Sequence, residues 1–443
     1  MVSLQQDTSN HHEKRDTEPV SWTYHNLYTK SMRLARCLSA KGVTPGSSIV
    51  VVLYNQIEWA LMFWATAHLG CQFVGIDHCA IKTQQQAQDL LGQIFNDHAG
   101  VAIVVANREL AIAIDEATEA TRGQISLRCV VEDSLIDGWT SLAEINEAAD
   151  DSEVFHSPRR VEDTAVIFFT SGTTGSSKAC PHTSATLHAV AQGLSRTHSI
   201  NEHHTICQHL PGFHIFSVVY SVTTWLQGAC LLYPSPTFDA DSTVHAIARS
   251  SNVITPCVPL MIQAMTKSPN VSQLAGHLEL LIVGGSTVYP ELLESCVSLS
   301  PQRIAAGYGM SECLVVASHN LPAKDALVEP DGEVCLGAAT SGSCIRICAP
   351  DSRRLLCRGE VGEVHLGGLP VFEGYMGMTH ESCYEENDVS FVRSGDQGYL
   401  DQQGRLYVLG RYKDLIIRAG ENVARVRMSR RRGSSGIWIR CTV

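Results

Sequence analysis

The chain has 443 residues, enough for two or three core-bearing units, and at 44% hydrophobic and 18% charged it has the composition of a soluble globular protein. Its formal net charge of −12 argues against a general nucleic-acid binder, which is usually basic. The 16 cysteines are scattered with no Cys-x-x-Cys pair, which argues against a disulfide scaffold or a zinc site and for reduced thiols in a cytosol-like compartment.

Residues 1–20 are polar and lack the apolar core of a secretory signal, so they read as a disordered tail. Leu27, Ser31, Leu34, Ala35 and Leu38 recur at helical spacing, with Gly42 suited to end the helix. The strand Ile49–Leu53, the helix Trp59–Leu69 closed by Gly70, and the strand Phe73–Asp77 follow. The rhythm repeats at Gln84–Asn96 and Val101–Ala106, and such alternation implies parallel strands covered by helices. Glu109–Glu153 is acidic and poorly patterned and reads as variable surface structure. Beyond it, Ala165–Phe169 reads as a buried strand and Thr183–Leu194 as a helix. Further strands are expected at Val253–Pro259 and Leu278–Val283, and helices at Thr243–Ser250 and Pro290–Val297. Ile215–Tyr233 is the most membrane-like run, but its Ser, Thr, Gln and Gly residues favour a buried helix followed by a strand. From about residue 332 to 409, short β-prone runs alternate with Gly and Pro turns, marking a β-rich unit within a main domain of residues 21–413.

Five stretches have the residue types that chemistry needs. Thr170-Ser171-Gly172-Thr173-Thr174-Gly175-Ser176-Ser177-Lys178 follows a strand. Its glycines let successive N–H groups face one point, its hydroxyls add donors, and Lys178 adds positive charge, which together suit a polyphosphate. It is not the common P-loop, because two residues rather than four separate its glycines and alanine follows the lysine. Gly307-Tyr308-Gly309-Met310-Ser311-Glu312 reads as a Gly-rich turn after the strand Arg303–Ala306. Within it Tyr308 can stack on a purine, Ser311 can bond a phosphate and Glu312 can hold Mg²⁺. Leu281–Ser286 runs a strand into Gly284-Gly285, where a flat ring can approach the backbone. Asp396, in Ser394-Gly395-Asp396, has the chemistry to accept both hydroxyls of a ribose, and Arg411 could reach the sugar or a phosphate. In Leu210–Phe216, His214 stands beside Phe213; a lone histidine there is ordinarily a packed core residue.

In content and order these stretches resemble the signature motifs of the adenylate-forming, AMP-binding enzymes, a superfamily that includes acyl-CoA synthetases, luciferases and peptide-synthetase adenylation domains. The likeness runs from about Trp22 to Val423. It implies an α/β fold in which two helix-covered mixed sheets carry a small β-barrel-like unit. It assigns Thr170–Gly175 and Lys178 to the phosphates of ATP, Gly284, Gly285 and Ser286 to the adenine edge, and Tyr308, Gly309, Ser311 and Glu312 to nucleotide and metal. Asp396 and Arg411 fall at the ribose. Thr170, Lys178 and Glu312 would be the catalytic clamp, and Phe213, His214, Gly284 and Gly309 would line the acid pocket. Amino-acid-activating relatives have Phe-Asp where this chain has Phe213-His214, so the implied acid lacks an α-amino group.

The implied reaction is AMP-forming ligation, with ATP and Mg²⁺ as cofactors and CoA as the thiol co-substrate, in fatty-acid or secondary metabolism. A carrier-protein thiol is the alternative acceptor. A chain that binds nucleotide or acid without turnover is the rival from another class. Lys413 falls at the family's hinge, and residues 414–423 match the start of the family's small C-terminal domain. Residues 424–443, with the run Arg430-Arg431-Arg432, do not continue that pattern and read as an atypical basic tail. On this reading the C-terminal domain, with its catalytic lysine, is missing. Neither a nucleic-acid partner nor a transmembrane segment is expected, and the compartment is cytosol or peroxisome.

Overall fold

The computed structural model describes residues 3–6, 20–95, 101–119, 125–132, 136–147, 159–170, 177–322, 333–377, 382–412, 415–418 and 421–424. A seven-stranded sheet runs in the order Thr140–Ser141, Ile125–Val130, Val101–Ala106, Ser48–Val52, Gln72–Gly75, Thr164–Phe169, Ala179–Thr183. Its strands are parallel except for the last pair, which is antiparallel. Ser48–Val52 is buried throughout. Ile49 and Val51 enter one core, Val50 and Val52 another, and this double burial explains a continuous apolar run with no alternation.

A nine-stranded sheet has the order Ala338–Ala339, Val315–Pro322, Arg303–Gly309, Leu278–Val283, Val253–Cys257, Thr205–Cys207, Cys230–Tyr233, Ser3–Gln6, Val20–Thr23. From Arg303–Gly309 to Ser3–Gln6 the pairing is parallel, and both outer edges are antiparallel. Helices join the two sheets. Tyr24–Ala40 starts from a capping box in which Thr23 and Asn26 satisfy each other's backbone N–H groups. The apolar Ile57–Leu69 stops at Gly70, whose φ of 69° lies in the left-handed region. One core contains Leu34 and Leu38, Trp59 and Met62, Val218 and Tyr220, with Ile49 from the first sheet and Ile254 and Leu280 from the second.

The third sheet is antiparallel, in the order Ser343–Cys348, Gly362–Gly368, Val389–Leu400, Cys383–Glu386, with Leu406–Arg411 on the far half of Val389–Leu400. The register shifts between Gln397 and Gly398, so the long strand serves two partners and the sheet curls. The architecture is therefore the mixed α/β one expected: two helix-covered sheets and a curled antiparallel unit.

Three local expectations are corrected. Ser3–Gln6, inside the presumed disordered tail of residues 1–20, is a strand; its pairing is made by backbone groups and does not need apolar side chains. Glu109–Glu153 is not merely surface structure: Ile125–Val130 joins the first sheet, and Ile114, Cys129, Val130 and Trp139 are buried. Gly307–Gly309 is not a turn, because the strand continues through it to Gly309, paired with Val315–Pro322. Ile215–Tyr233 folds as expected, into the helix Ile215–Leu226 and the strand Cys230–Tyr233. Among the described residues no helix is long and apolar enough to cross a membrane, and the cysteines are all free. Leu415–Arg418 and Glu421–Ala424 pair as an antiparallel hairpin, whereas Lys413 and residues 425–443 lie outside the described residues.

Candidate functional site

Three of the motifs sit at the carboxyl ends of parallel strands: Thr170 follows Thr164–Phe169, Gly284 follows Leu278–Val283, and Met310 follows Arg303–Gly309. Open α/β sheets bind ligands in the crevice outside those ends, where strands hand over to loops and no side chain fills the gap.

The neck of the first loop is tied shut. Thr170 N–H donates to the Lys178 carbonyl at 3.0 Å, and Lys178 N–H donates to Thr170 Oγ1 at 3.0 Å. Gln93, half-buried on the helix Gln84–Phe95, adds a clamp: its Nε2 donates to the Ser177 carbonyl at 2.7 Å and its Oε1 accepts from Ala179 N–H at 3.1 Å. A side-chain amide thus stands in for a strand neighbour. Ser171, Gly172, Thr173, Thr174 and Gly175 lie outside the described residues. The Lys178 ammonium sits 4.8 Å from the centroid of the Tyr375 ring, and the Tyr375 hydroxyl donates to Glu312 Oε1. One tyrosine therefore touches both the loop's cation and the expected metal-binding carboxylate.

The Met310–Cys313 turn that follows the strand is shaped by Gly309. A methyl group on Gly309 would lie 1.7 Å from the Leu314 carbonyl oxygen, so only glycine fits. Met310 N–H bonds that carbonyl at 3.0 Å, and Cys313 N–H bonds Met310 at 3.1 Å. His182 Nε2–H donates to the Ser311 carbonyl at 2.7 Å; burial holds this imidazole's pKa down to about 4, so it stays a neutral donor. Ser311 is half-buried and Glu312 is buried.

Tyr308 and Asp396, 88 residues apart in sequence, meet directly: the phenol donates to Asp396 Oδ2 at 2.5 Å. Burial, and then the Asp396 charge, push the phenol's pKa well up, which keeps it a donor. Arg411 Nε donates to the other oxygen, Oδ1, at 3.1 Å, and Ser394 Oγ accepts from Asp396 N–H at 3.0 Å. Asp396 is buried and Arg411 is half exposed.

In the Leu210–Phe216 motif, Gly212 has no room for a side chain, since a methyl group there would lie 2.5 Å from Trp59 Nε1. That close approach sets Phe213 and His214 at the head of Ile215–Leu226. His214 Nδ1 caps the helix by accepting from Phe216 N–H at 3.2 Å, and its side chain is otherwise exposed. Phe213 packs edge-on to His78, with centroids 5.8 Å apart. Gly284 lies between the Leu210–Phe216 motif and the Tyr308 strand: a methyl group there would meet the Phe216 ring at 3.3 Å and the Gly307 carbonyl at 3.4 Å. Gly285 has a φ of 74°, and Ser286 is exposed.

Lys178, Tyr375 and Glu312 therefore form one set of contacts and Tyr308, Asp396 and Arg411 a second, the two joined through the segment 308–312, with His214 reached through Phe216 and Gly284. The sequence reading missed Tyr375 and Gln93. Gly374-Tyr375 after Pro370 was a visible punctuated turn, but a glutamine on a polar helix face offered no signal. The donor set fits Mg²⁺: a hard, mostly buried carboxylate with one oxygen oriented by a phenol, beside a phosphate-type loop, is what a cation shared between protein and triphosphate requires.

Residues 4–376 match the AMP-binding enzyme family. Among curated proteins the chain is similar to an acyl–CoA ligase of Pestalotiopsis microspora, 24% identical over 423 residues that cover 92% of this chain and 72% of the relative. It is 27% identical to a long-chain-fatty-acid–CoA ligase of Mycobacterium tuberculosis over 406 residues, 91% of this chain and 76% of that protein. Among solved structures, ATP-bound MatB from Rhodopseudomonas palustris superposes with a TM-score of 0.79 at 24% identity, covering 95% of this chain and 79% of that one.

Proposed function

The chain belongs to the AMP-binding enzyme family, and from that premise we propose that it activates a carboxylic acid with ATP and passes the acyl group to the thiol of CoA. In the first step a carboxylate oxygen attacks the α-phosphorus in line. The bond from that phosphorus to the bridging oxygen breaks, and pyrophosphate leaves with the electron pair. In the second step a thiolate attacks the acyl carbon and AMP departs, having kept the former carboxylate oxygen.

The observation that carries this reading is the convergence of Lys178, Glu312, Tyr308, Asp396 and Arg411 outside the carboxyl ends of the strands. Little covalent chemistry falls to the protein in phosphoryl-type transfer, so positioned charge is what matters. Asp396 is suited to accept the ribose hydroxyls, with Arg411 holding it in place. Lys178 and the Thr170–Gly175 loop are suited to the phosphates, and Thr170, Lys178 and Glu312 are the catalytic clamp. Tyr308, with Gly284, Gly285 and Ser286, forms the base-side wall; Gly309 and Ser311 lie beside the phosphates and the acid. Mg²⁺ would be held by Glu312, where it supplies positive charge against the phosphate oxygens.

Phe213, His214 and Gly284 mark the acid side. No carboxylate stands at His214 to pair with an ammonium, which supports an acid without an α-amino group. Lys413 is proposed as the hinge residue. The named CoA ligases among the relatives support CoA as acceptor.

The test is acid-dependent pyrophosphate–ATP exchange by the 443-residue chain, followed by mass spectrometry for an acyl-CoA. Exchange followed by a CoA thioester supports the proposal. Exchange without CoA consumption would transfer the reading to a carrier-protein thiol, and ATP binding without exchange would make the chain a non-catalytic binder.

A further inference from the structure

We infer that Tyr375 is a positioning residue for both charges of the proposed phosphate site: its hydroxyl engages one oxygen of Glu312, which would leave the other for a metal, and its ring seats the Lys178 ammonium. The inference rests on the functional reading above. It adds a residue that none of the sequence motifs contained.

Tyr375 lies on residues 369–376, a segment bonded to both elements it serves. Met376 N–H donates to the Ala179 carbonyl at 3.1 Å, one residue beyond Lys178. Phe372 N–H donates to the Glu312 carbonyl at 3.0 Å. Phe372 packs edge-on against the Tyr375 ring, with centroids 4.9 Å apart, and Tyr375 is only 9% exposed. The ring is therefore held in place by its own strap. Its hydroxyl reaches Glu312 Oε1, and its face lies 4.8 Å from Lys178 Nζ.

The chemistry is that of a two-ended spacer. A phenol donating to one carboxylate oxygen occupies one acceptor position there and leaves Oε2 as the better metal ligand. The negative face of the ring attracts the ammonium and fixes its position.

Tyr375→Phe keeps the ring and removes only the hydroxyl, whereas Tyr375→Leu removes both. The full chain is titrated with α,β-methylene-ATP, first without metal and then with Mn²⁺ followed by electron paramagnetic resonance. Thermal melting checks the fold. Loss of a hydrogen bond to a charged group is expected to weaken Mn²⁺ binding to the Tyr375→Phe complex about tenfold, with metal-free nucleotide affinity within about twofold of the parent. Tyr375→Leu is expected to weaken metal-free binding as well. In Glu312→Gln the Tyr375→Phe change is expected to add no further Mn²⁺ loss. Parent-like Mn²⁺ affinity in Tyr375→Phe would overturn the inference, as would a loss equally large without metal or an additive double variant. If the parent chain binds no nucleotide at all, the functional reading fails first and this inference with it.

Discussion

Replacing Asp396 with alanine isolates the proposed sugar contact. In the structure the carboxylate accepts from Tyr308 at 2.5 Å and from Arg411 at 3.1 Å, and its side chain is only 10% exposed. A hydrogen bond to a charged group contributes about 1.5–3 kcal/mol, and 1.4 kcal/mol is a factor of ten in affinity. Each ribose hydroxyl held by Asp396 is therefore worth roughly 10- to 100-fold in ATP binding. The variant also leaves the Tyr308 phenol without this acceptor, at a cost of about 1–3 kcal/mol and a few degrees of melting midpoint. The exposed side of Arg411 limits what its half of the ion pair adds to stability. The assay is calorimetric titration with ATP, 2′-deoxy-ATP and 3′-deoxy-ATP. The parent should prefer ATP over at least one deoxy analogue by about tenfold or more, and Asp396→Ala should bind all three alike. If Asp396→Ala keeps the parent's preference, the ribose assignment is wrong, whatever happens to absolute affinity.

Gln93→Ala removes two backbone bonds at the loop neck, and at about 0.5–1.5 kcal/mol each it should weaken nucleotide binding several-fold while acid binding is unchanged. Unaltered ATP affinity would relegate the clamp to a bystander. Gly309→Ala forces a methyl group to within 1.7 Å of the Leu314 carbonyl, so loss of soluble protein or a sharply lowered melting midpoint is expected, and a parent-like melt would contradict the geometry. Acid should destabilise the fold through buried neutral histidines: burial holds His182 and His209 down to about 4 and His198 down to about 3. Between the unfolded value near 6.5 and those values, the unfolded chain binds protons that the folded chain does not. Stability is therefore full above about pH 6.5 and declines below it, approaching roughly 1.4 kcal/mol per pH unit per residue, and a melting midpoint flat from pH 7 to 5 would count against this.

The sequence disclosed the layered α/β plan because its signals were local. Gly70 ended one helix, Gly42 suited the end of another, and the unbroken apolar run Ile49–Leu53 marked a strand, which the structure places at Ser48–Val52 and buries throughout. It hid Ile125–Val130, where Ser126 and Arg128 interrupt the apolar pattern; Arg128 is held by Asp115 at 3.2 Å, a tertiary pairing with no local trace. It misled at Gly307–Gly309, because glycines signal turns, whereas here the ladder to Ser318 and Ala317 carries the strand onward. Gly309 is required by the Leu314 carbonyl packed against it. Asp396 and Tyr308 were each marked out by their motifs, but their bond to one another was not legible. The pairings of Tyr375 and Gln93 were hidden for the same reason: their partners Glu312 and Ser177 lie 63 and 84 residues away.

The central claim is that distant segments close on one nucleotide. Hydrogen exchange of the full chain, with and without saturating ATP and Mg²⁺, tests it segment by segment. Slowed exchange is expected together in 164–183, 303–315 and 389–411, rising with ATP along a single binding curve. Protection confined to one of these segments, or separate curves for each, would contradict it.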